Sequence, residues 1–426
     1  MDLSSILKSL ENCPCGKKHT FVTEVVEIGN GVTGRTGEIL AKAGFPKDVL
    51  LVADDTTLGV SAGILESLKA AGFHVKKLIY ENMKYARIEQ VREVEALLKD
   101  VDGLISVGSG SLNDICRVAS YNNGKKFCIF ATAPSMDGFA SDTAPILENN
   151  FKASFKAEQP HVILADTRIL AEAPTELKSS GFGDMVAKYI GIVDWKISNI
   201  LTGEYYCDAI AELTLKATNR CFDLAEKVTA NSEEAAGAIM EALVLSGLAM
   251  KLAGCSRPAS GAEHVVSHYL ECYKVVRGIW PEYHGKKVGV ATVLINKAYR
   301  KIADTVTEVH PVKDPFDMEE VLKHYDPQLK NDIVKLNSPT ITDTVDPAVL
   351  KEKWQEIREI IWKYLPEDDV LLAKMHAAGA ATTMEEVHVS DELLKEALHY
   401  HAYMRYRVLL TRLMPMLGLD IMDFID

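Results

Sequence analysis

No uninterrupted apolar run in this 426-residue chain reaches the length of a bilayer span, and the opening MDLSSILKSLENCPCGKKH lacks the basic flank and apolar stretch of a secretory signal. Positive charge is in short supply: 47 Lys and Arg stand against 60 Asp and Glu, a formal net charge of -13. Such a surface repels nucleic acid and anionic membranes, so no nucleic-acid partner and no membrane insertion are expected. There is no short-period repeat and no low-complexity stretch. The eight cysteines are scattered, and a chain of this length does not need disulfide staples. These absences leave a cytoplasmic protein with reduced thiols as the expectation. An anionic small substrate would then need a locally positive site, which a bound metal can supply. Cys13, Cys15 and His19 resemble half of a zinc site, but no second cysteine pair follows nearby, and residues 1–20 read as a flexible extension.

What is present is an alternation. The short apolar or β-branched runs Phe21 to Ile28, Val49 to Ala53, Val75 to Tyr80, Gly103 to Val107, Phe127 to Ala131 and Val162 to Ala165 predict strands. Thr36 to Ala43, Leu58 to Ala71, Ile88 to Lys99 and Ile115 to Ser120 predict helices between them. That is the pattern of an α/β domain, 21–168, built on a doubly wound, mostly parallel sheet. From about Arg168 onward the periodicity is helical, in long segments that end with Asp391 to Leu417, and no run demands a strand. The remainder, 169–426, is expected to be an all-helical second domain.

Ligands on doubly wound sheets sit at the carboxyl ends of the strands. Two turns there are rich in glycine and hydroxyls. Gly108, Ser109, Gly110, Ser111 and Leu112 follow a strand and open a helix, so backbone N–H groups and the helix N-terminus can meet phosphate. The dinucleotide fingerprint is incomplete, because its third glycine position holds Asn113. Thr132, Ala133, Pro134 and Ser135 lead into Asp137, Ser141 and Asp142, which can hold a cofactor or a polyol. Asp54, at the end of the second apolar strand, reads either as a ribose-binding acid, favouring NAD over NADP, or as a solvated loop acid.

The second half supplies three histidines between Gly261 and Gly289. His264 and His268 are four apart and share a helix face; His284 can return beside them after an aromatic, proline-containing loop. They read either as packing residues or as metal ligands. Asp184, in GFGDMVAKY, reads either as an acid in the first turn of a helix or as a carboxylate ligand. One carboxylate with two imidazoles leaves open positions for substrate oxygens and suits zinc, nickel or ferrous iron.

Taken in order, GSGSLND, TAPSMDGFASD, HVILADTRIL with APTEL, GFGDMVAKY, GAEHVVSH and HGKKVGVAT resemble the iron-containing alcohol dehydrogenase and dehydroquinate synthase-like superfamily. Within it the chain is most similar to the sn-glycerol-1-phosphate dehydrogenases, its length suggesting the bacterial kind. The resemblance runs from about Phe21 to Arg300 and resumes near the C-terminus. It implies Asp184, His264 and His284 as ligands of one divalent metal ion (zinc, nickel or iron), with Asp184 and His268 catalytic. It implies NAD or NADP on Asp54, Gly108 to Leu112, Thr132 to Ser135 and Ser141, and a phosphorylated triose or polyol substrate against Asp137, Asp184 and His268. A homo-oligomer is implied as well. Packing is the expectation for His399 to Arg407, with Arg405 and Arg407 the basic groups that could meet phosphate. Rival readings are a glycerol or polyol dehydrogenase acting on an unphosphorylated substrate, a metal-dependent lyase of the dehydroquinate synthase kind, and a sensor that has lost turnover.

Overall fold

The six apolar runs form one sheet because alternate residues of each can be buried on opposite faces. The computed structural model describes residues 1–148 and 151–425. Its strands are β1 Val25–Gly29, β2 Asp48–Asp54, β3 His74–Tyr80, β4 Gly103–Gly108, β5 Lys126–Ala131, β6 Thr143–Glu148, β7 Phe151–Lys156 and β8 Val162–Asp166. Six of them pair in the order β1-β8-β5-β4-β2-β3, every pair parallel, with Leu50 beside Leu104, Ile105 beside Cys128 and Ile129 beside Ile163. Val49, Leu51, Ile105, Phe130 and Leu164 join the apolar cluster on one face, while Leu50, Val52, Leu104, Ile129 and Ile163 join the cluster on the other.

The first helices are α1 Leu3–Ser9, α2 Val32–Lys42, α3 Asp55–Val60, α4 Ile64–Ala70, α5 Ile88–Leu98 and α6 Gly110–Asn123. Three expectations need correction here. Leu58 to Ala71 is two helices, because Gly63 takes the left-handed conformation (φ 101°) and starts a new one. β6 and β7, an antiparallel hairpin, lie where no strand was expected; Pro145 and the polar residues around it hide the alternation. The N-terminal segment is folded, since α1 and the turn after it bury Leu3 and Leu10.

After β8 the described chain is helical: α7 Thr167–Glu172, α8 Thr175–Val186, α9 Lys188–Thr202, α10 Asp208–Asp223, α11 Ala225–Val228, α12 Glu233–Ala253, α13 Ala262–Val276 and α14 His284–Thr305, then shorter helices to the C-terminus. α12 is bounded by its own sequence. The Ser232 hydroxyl caps Ala235 N, Glu233 and Glu234 occupy the first turn, Lys251 the last, and Gly254 closes it left-handed. By length and composition α12 could cross a membrane, but 78% of its most apolar window is buried within the protein, as befits a core helix.

Asp391 to Leu417 is not one helix. It is helical over Asp391–Tyr400, turns as a 3-10 segment over His401–Met404, runs extended at Arg405 and resumes over Leu410–Leu417. His401 sits at this break, fully buried. Its Nδ1 lies 2.9 Å from the Ala397 carbonyl and 3.0 Å from that of Leu398, and its Nε2 3.0 Å from the Thr411 hydroxyl. Burial pushes this imidazole down to about 4. An unfolded histidine takes its proton first, near pH 6.5, so the stability it contributes is complete above that pH and is lost as pH falls towards 4. The loss amounts to about 3 kcal/mol. His401→Gln is therefore expected to be less stable than the parent at pH 7 but to lose less on acidification from pH 6.5 to 4. Urea unfolding across that range checks it; parallel curves for the two proteins would refute the assignment.

Candidate active site

A crevice of about 860 Å³ opens between the carboxyl edge of the sheet and the helical half. On the sheet side its walls come from the ends of β2, β4 and β5; on the other they come from α13, the α13–α14 loop and the closing segment. Tyr85 meets Trp280 edge to face across its mouth, 5.1 Å between ring centroids, and Trp280 meets Tyr283 at 5.9 Å.

Asp184, His264 and His284 converge at its floor, with one ligand atom from each lying within 4.8 Å of the others. They come from three helices. Asp184 is in the last turn of α8, not a first turn as the sequence suggested, because α8 starts nine residues earlier at Thr175. His264 is in the first turn of α13 and His284 is the first residue of α14. The convergence depends on glycine. A side chain at Gly285 would put Cβ 2.0 Å from the Ser180 carbonyl oxygen, and one at Gly183 would put it 2.5 Å from the Gly285 carbonyl oxygen. Only hydrogen at these points lets α8 and α14 touch backbone to backbone.

Asp184 and His264 are each oriented by partners. The Glu263 carboxylate lies 2.6 Å from His264 Nδ1, which makes that nitrogen the donor and turns Nε2 towards Asp184 Oδ1, 3.4 Å away. The fully buried Asp184 accepts from Lys188 Nζ at Oδ1 (2.7 Å) and from the Asp137 backbone N–H at Oδ2 (2.9 Å). Burial alone would raise its carboxyl; Lys188 and the two imidazoles outweigh burial and hold it well below the usual carboxylate range. Burial and Lys188 depress His264, yet the carboxylates of Asp184 and Glu263 bring it up to about 9. A deprotonated carboxylate and two imidazoles, that of His264 with its Nε2 direction fixed, fit a divalent cation.

Asp137 lines the crevice above this floor, its Oδ2 held by Lys188 Nζ (2.8 Å) and the Ser246 hydroxyl (2.9 Å). His268, one helical turn beyond His264, also lines it, with Arg405 Nη2 at 3.1 Å from its Nε2. Ser109, Gly110, Ser111, Leu112, Thr132, Ala133, Ser135 and Ser141 face the same space. The Ser109 and Ser135 hydroxyls touch at 2.6 Å, joining the two turns, and Arg117 Nη1 donates to the Ser141 hydroxyl at 2.9 Å. Asp54 lines the rim and caps α3, accepting from Thr57 N at 2.8 Å. Gly108 and Pro134 are not on the wall. Gly108 ends β4 against Leu112, and the Pro134 carbonyl backs onto α8 at Gly181, where a side-chain Cβ would stand 1.9 Å from it.

Sequence reasoning missed Lys188, Glu263 and the aromatic lip. Two signals were available: Lys188 stands four residues after Asp184, and Glu263 immediately precedes a candidate ligand. Arg405 and Arg407 enter the crevice wall because the closing segment breaks at His401–Met404, which a continuous helix would not have allowed.

Residues 27–174 match the family model described as iron-containing alcohol dehydrogenase. Among curated relatives, glycerol-1-phosphate dehydrogenase [NAD(P)+] of Halalkalibacterium halodurans is 35% identical over 68% of this chain and 74% of its own length. The like-named protein of Bacillus licheniformis is 29% identical over 98% and 95%, and that of Pyrococcus furiosus 33% identical over 68% and 83%. Among solved structures, a probable glycerol dehydrogenase from Sinorhizobium meliloti superposes with a TM-score of 0.61 at 16% identity, covering 92% of this chain and 93% of that one. Sulfoacetaldehyde reductase from Bifidobacterium kashiwanohense, solved with NAD+, gives 0.61 at 14% identity over 94% and 97%. The sequence relatives and the family model establish that this chain belongs to the glycerol-1-phosphate dehydrogenase family of the iron-containing alcohol dehydrogenases.

Proposed function

We propose that this protein interconverts dihydroxyacetone phosphate and sn-glycerol 1-phosphate, using NAD or NADP and one divalent metal ion. The observation that carries the reading is the meeting of Asp184, His264 and His284 at the floor of a crevice whose far wall is the carboxyl edge of a parallel sheet. The names of the curated relatives supply the substrate.

In this reading Asp184, His264 and His284 hold the ion, which when bound supplies Lewis acidity to the reacting oxygen. The nicotinamide supplies or accepts the hydride. The turns at Gly108–Leu112 and Thr132–Ser135, with the α6 N-terminus between them, suit a dinucleotide pyrophosphate; Asp54 suits a ribose and Ser141 the cofactor. Asp137 and His268 contact substrate, His268 holding a hydroxyl or passing its proton. Charge supports an anionic substrate. A divalent ion and Lys188 would balance the carboxylates of Asp184, Asp137 and Glu263, so the floor would no longer repel an anion. Arg405 and Arg407 place two guanidinium groups on the wall, and guanidinium forks suit phosphate. A cytoplasmic homo-oligomer of such subunits completes the proposal.

His264→Ala is expected to lose bound metal and to lower turnover more than about a hundredfold; a metal-free variant with full activity would refute the ligand assignment. His268→Ala should keep its metal while turnover falls about a hundredfold, the usual worth of a placed proton donor, and unchanged turnover would remove that role. The substrate is tested by rates with dihydroxyacetone phosphate and with dihydroxyacetone, each with NADH and NADPH, in the parent and in Arg407→Met. The parent should prefer the phosphate ester. The variant should lose about ten- to a hundredfold in kcat/KM on it, while its rate on dihydroxyacetone holds. Equal losses on both, or a parent that prefers the unphosphorylated ketone, would overturn the phosphate reading.

A further inference from the structure

Cys13, Cys15 and His19 read by themselves as half a metal site, and the fold brings the missing ligand from 188 residues away. Cys207, the N-cap residue of α10, places Sγ 3.4 Å from Cys13 Sγ, while Cys15 Sγ lies 3.1 Å from His19 Nε2. Ligand atoms of all four lie within 4.8 Å of one another. Ligands in a tetrahedral site with metal–sulfur bonds of 2.3 Å stand roughly 3.7 Å apart, so shifts of no more than about an ångström admit an ion.

The surroundings are built for it. His19 Nδ1 lies 2.8 Å from the Leu252 carbonyl in α12, which makes it the donor and leaves the Nε2 lone pair facing the sulfurs. Gly16, left-handed at φ 77°, closes the turn that carries both cysteines, its N–H donating to the Cys13 carbonyl. Lys17 anchors the same turn, donating to the Ala253 carbonyl from above the Tyr205 ring.

We propose that Cys13, Cys15, His19 and Cys207 form a second metal centre, a closed four-coordinate zinc site that fastens the N-terminal segment to α10 and α12. Three thiolates and an imidazole suit zinc, and four protein ligands leave no open position for substrate. None of the four lines the crevice, so the site is structural and stands apart from the reaction. A disulfide between Cys13 and Cys207 would use only two of the four groups and would leave the oriented His19 and Cys15 without a purpose.

The test uses the full chain, prepared under reductant, loaded with zinc or cobalt and freed of excess ion. Zinc-loaded parent should carry two metal equivalents, Cys207→Ser and Cys15→Ser one each. Cobalt-loaded parent should show thiolate-to-metal charge transfer, which the carboxylate–imidazole site cannot give. The band should persist in His264→Ala and vanish in Cys207→Ser. Chelation should open Lys17 and Lys18 to trypsin. The proposal is overturned if the cobalt-loaded parent shows no such band, if Cys13, Cys15 and Cys207 alkylate fully in zinc-loaded protein, or if Cys13 and Cys207 are found joined as a disulfide.

Discussion

The contact between α8 and α14 is the constraint from which the site follows. Helices normally pack with axes 8–10 Å apart, held off by side chains. Here Gly183 and Gly285 remove the side chains, and the backbones close until the Gly285 position abuts the Ser180 carbonyl. Asp184 follows one of these glycines and His284 precedes the other. The helices therefore cannot touch without bringing carboxylate and imidazole together. Gly181 does the same on the adjoining side of α8, setting it against the Pro134 carbonyl in the turn after β5. One stretch, Gly181-Phe182-Gly183-Asp184, thus ties the floor of the crevice to the turn after β5 that is proposed to hold the cofactor.

That floor is electrostatically costly, and its composition shows how the cost is offset. Asp184 is fully buried at the C-terminal end of a helix, where the dipole disfavours negative charge. A buried carboxylate persists as an anion only when cations and N–H donors face it. Lys188 does so from the start of α9 and also binds Asp137, so one ammonium is shared between two acids. The arrangement is settled enough to hold Asp184 ionised before any metal arrives. It also keeps Asp137 next to the floor, within reach of whatever occupies the crevice.

The parallel sheet was legible because burial on both faces leaves continuous apolar runs, and all six of its strands could be read from them. The candidate ligands, which the fold brings together, were legible because their residue types and order are restrictive: an acid after Gly181 and Gly183, a histidine early in a helix, a second just before Gly285. What the chain hid depends on pairing between distant segments. Cys207 has no signature of its own; only the fold of α10 beside the N-terminal turn gives it partners. The β6–β7 hairpin is masked by polar residues and a proline, and the break at His401–Met404 by a helical periodicity that continues through it. Lys188 stands in GFGDMVAKY, but its role depends on Asp137, which only the fold brings beside it.

A further hidden residue links the metal floor to the wall above it. Asp194 in α9 is fully buried, and burial lifts its carboxyl to about 7. Its Oδ1 accepts from the Tyr299 hydroxyl of α14 and from Leu410 N, both at 2.9 Å, and its Oδ2 from Ala262 N at 2.8 Å. Ala262 opens the helix that carries His264 and His268; Leu410 follows the extended stretch that carries Arg405 and Arg407. The side chain that fixes where the histidine helix begins is therefore the one that fixes where the arginine segment returns. The 3.1 Å contact between Arg405 and His268 needs both ends held. Positive charge in the crevice is therefore local: the acids that share Lys188 fix it at the floor, and the segment held by Asp194 brings Arg405 and Arg407 to the wall, in a protein of net charge -13.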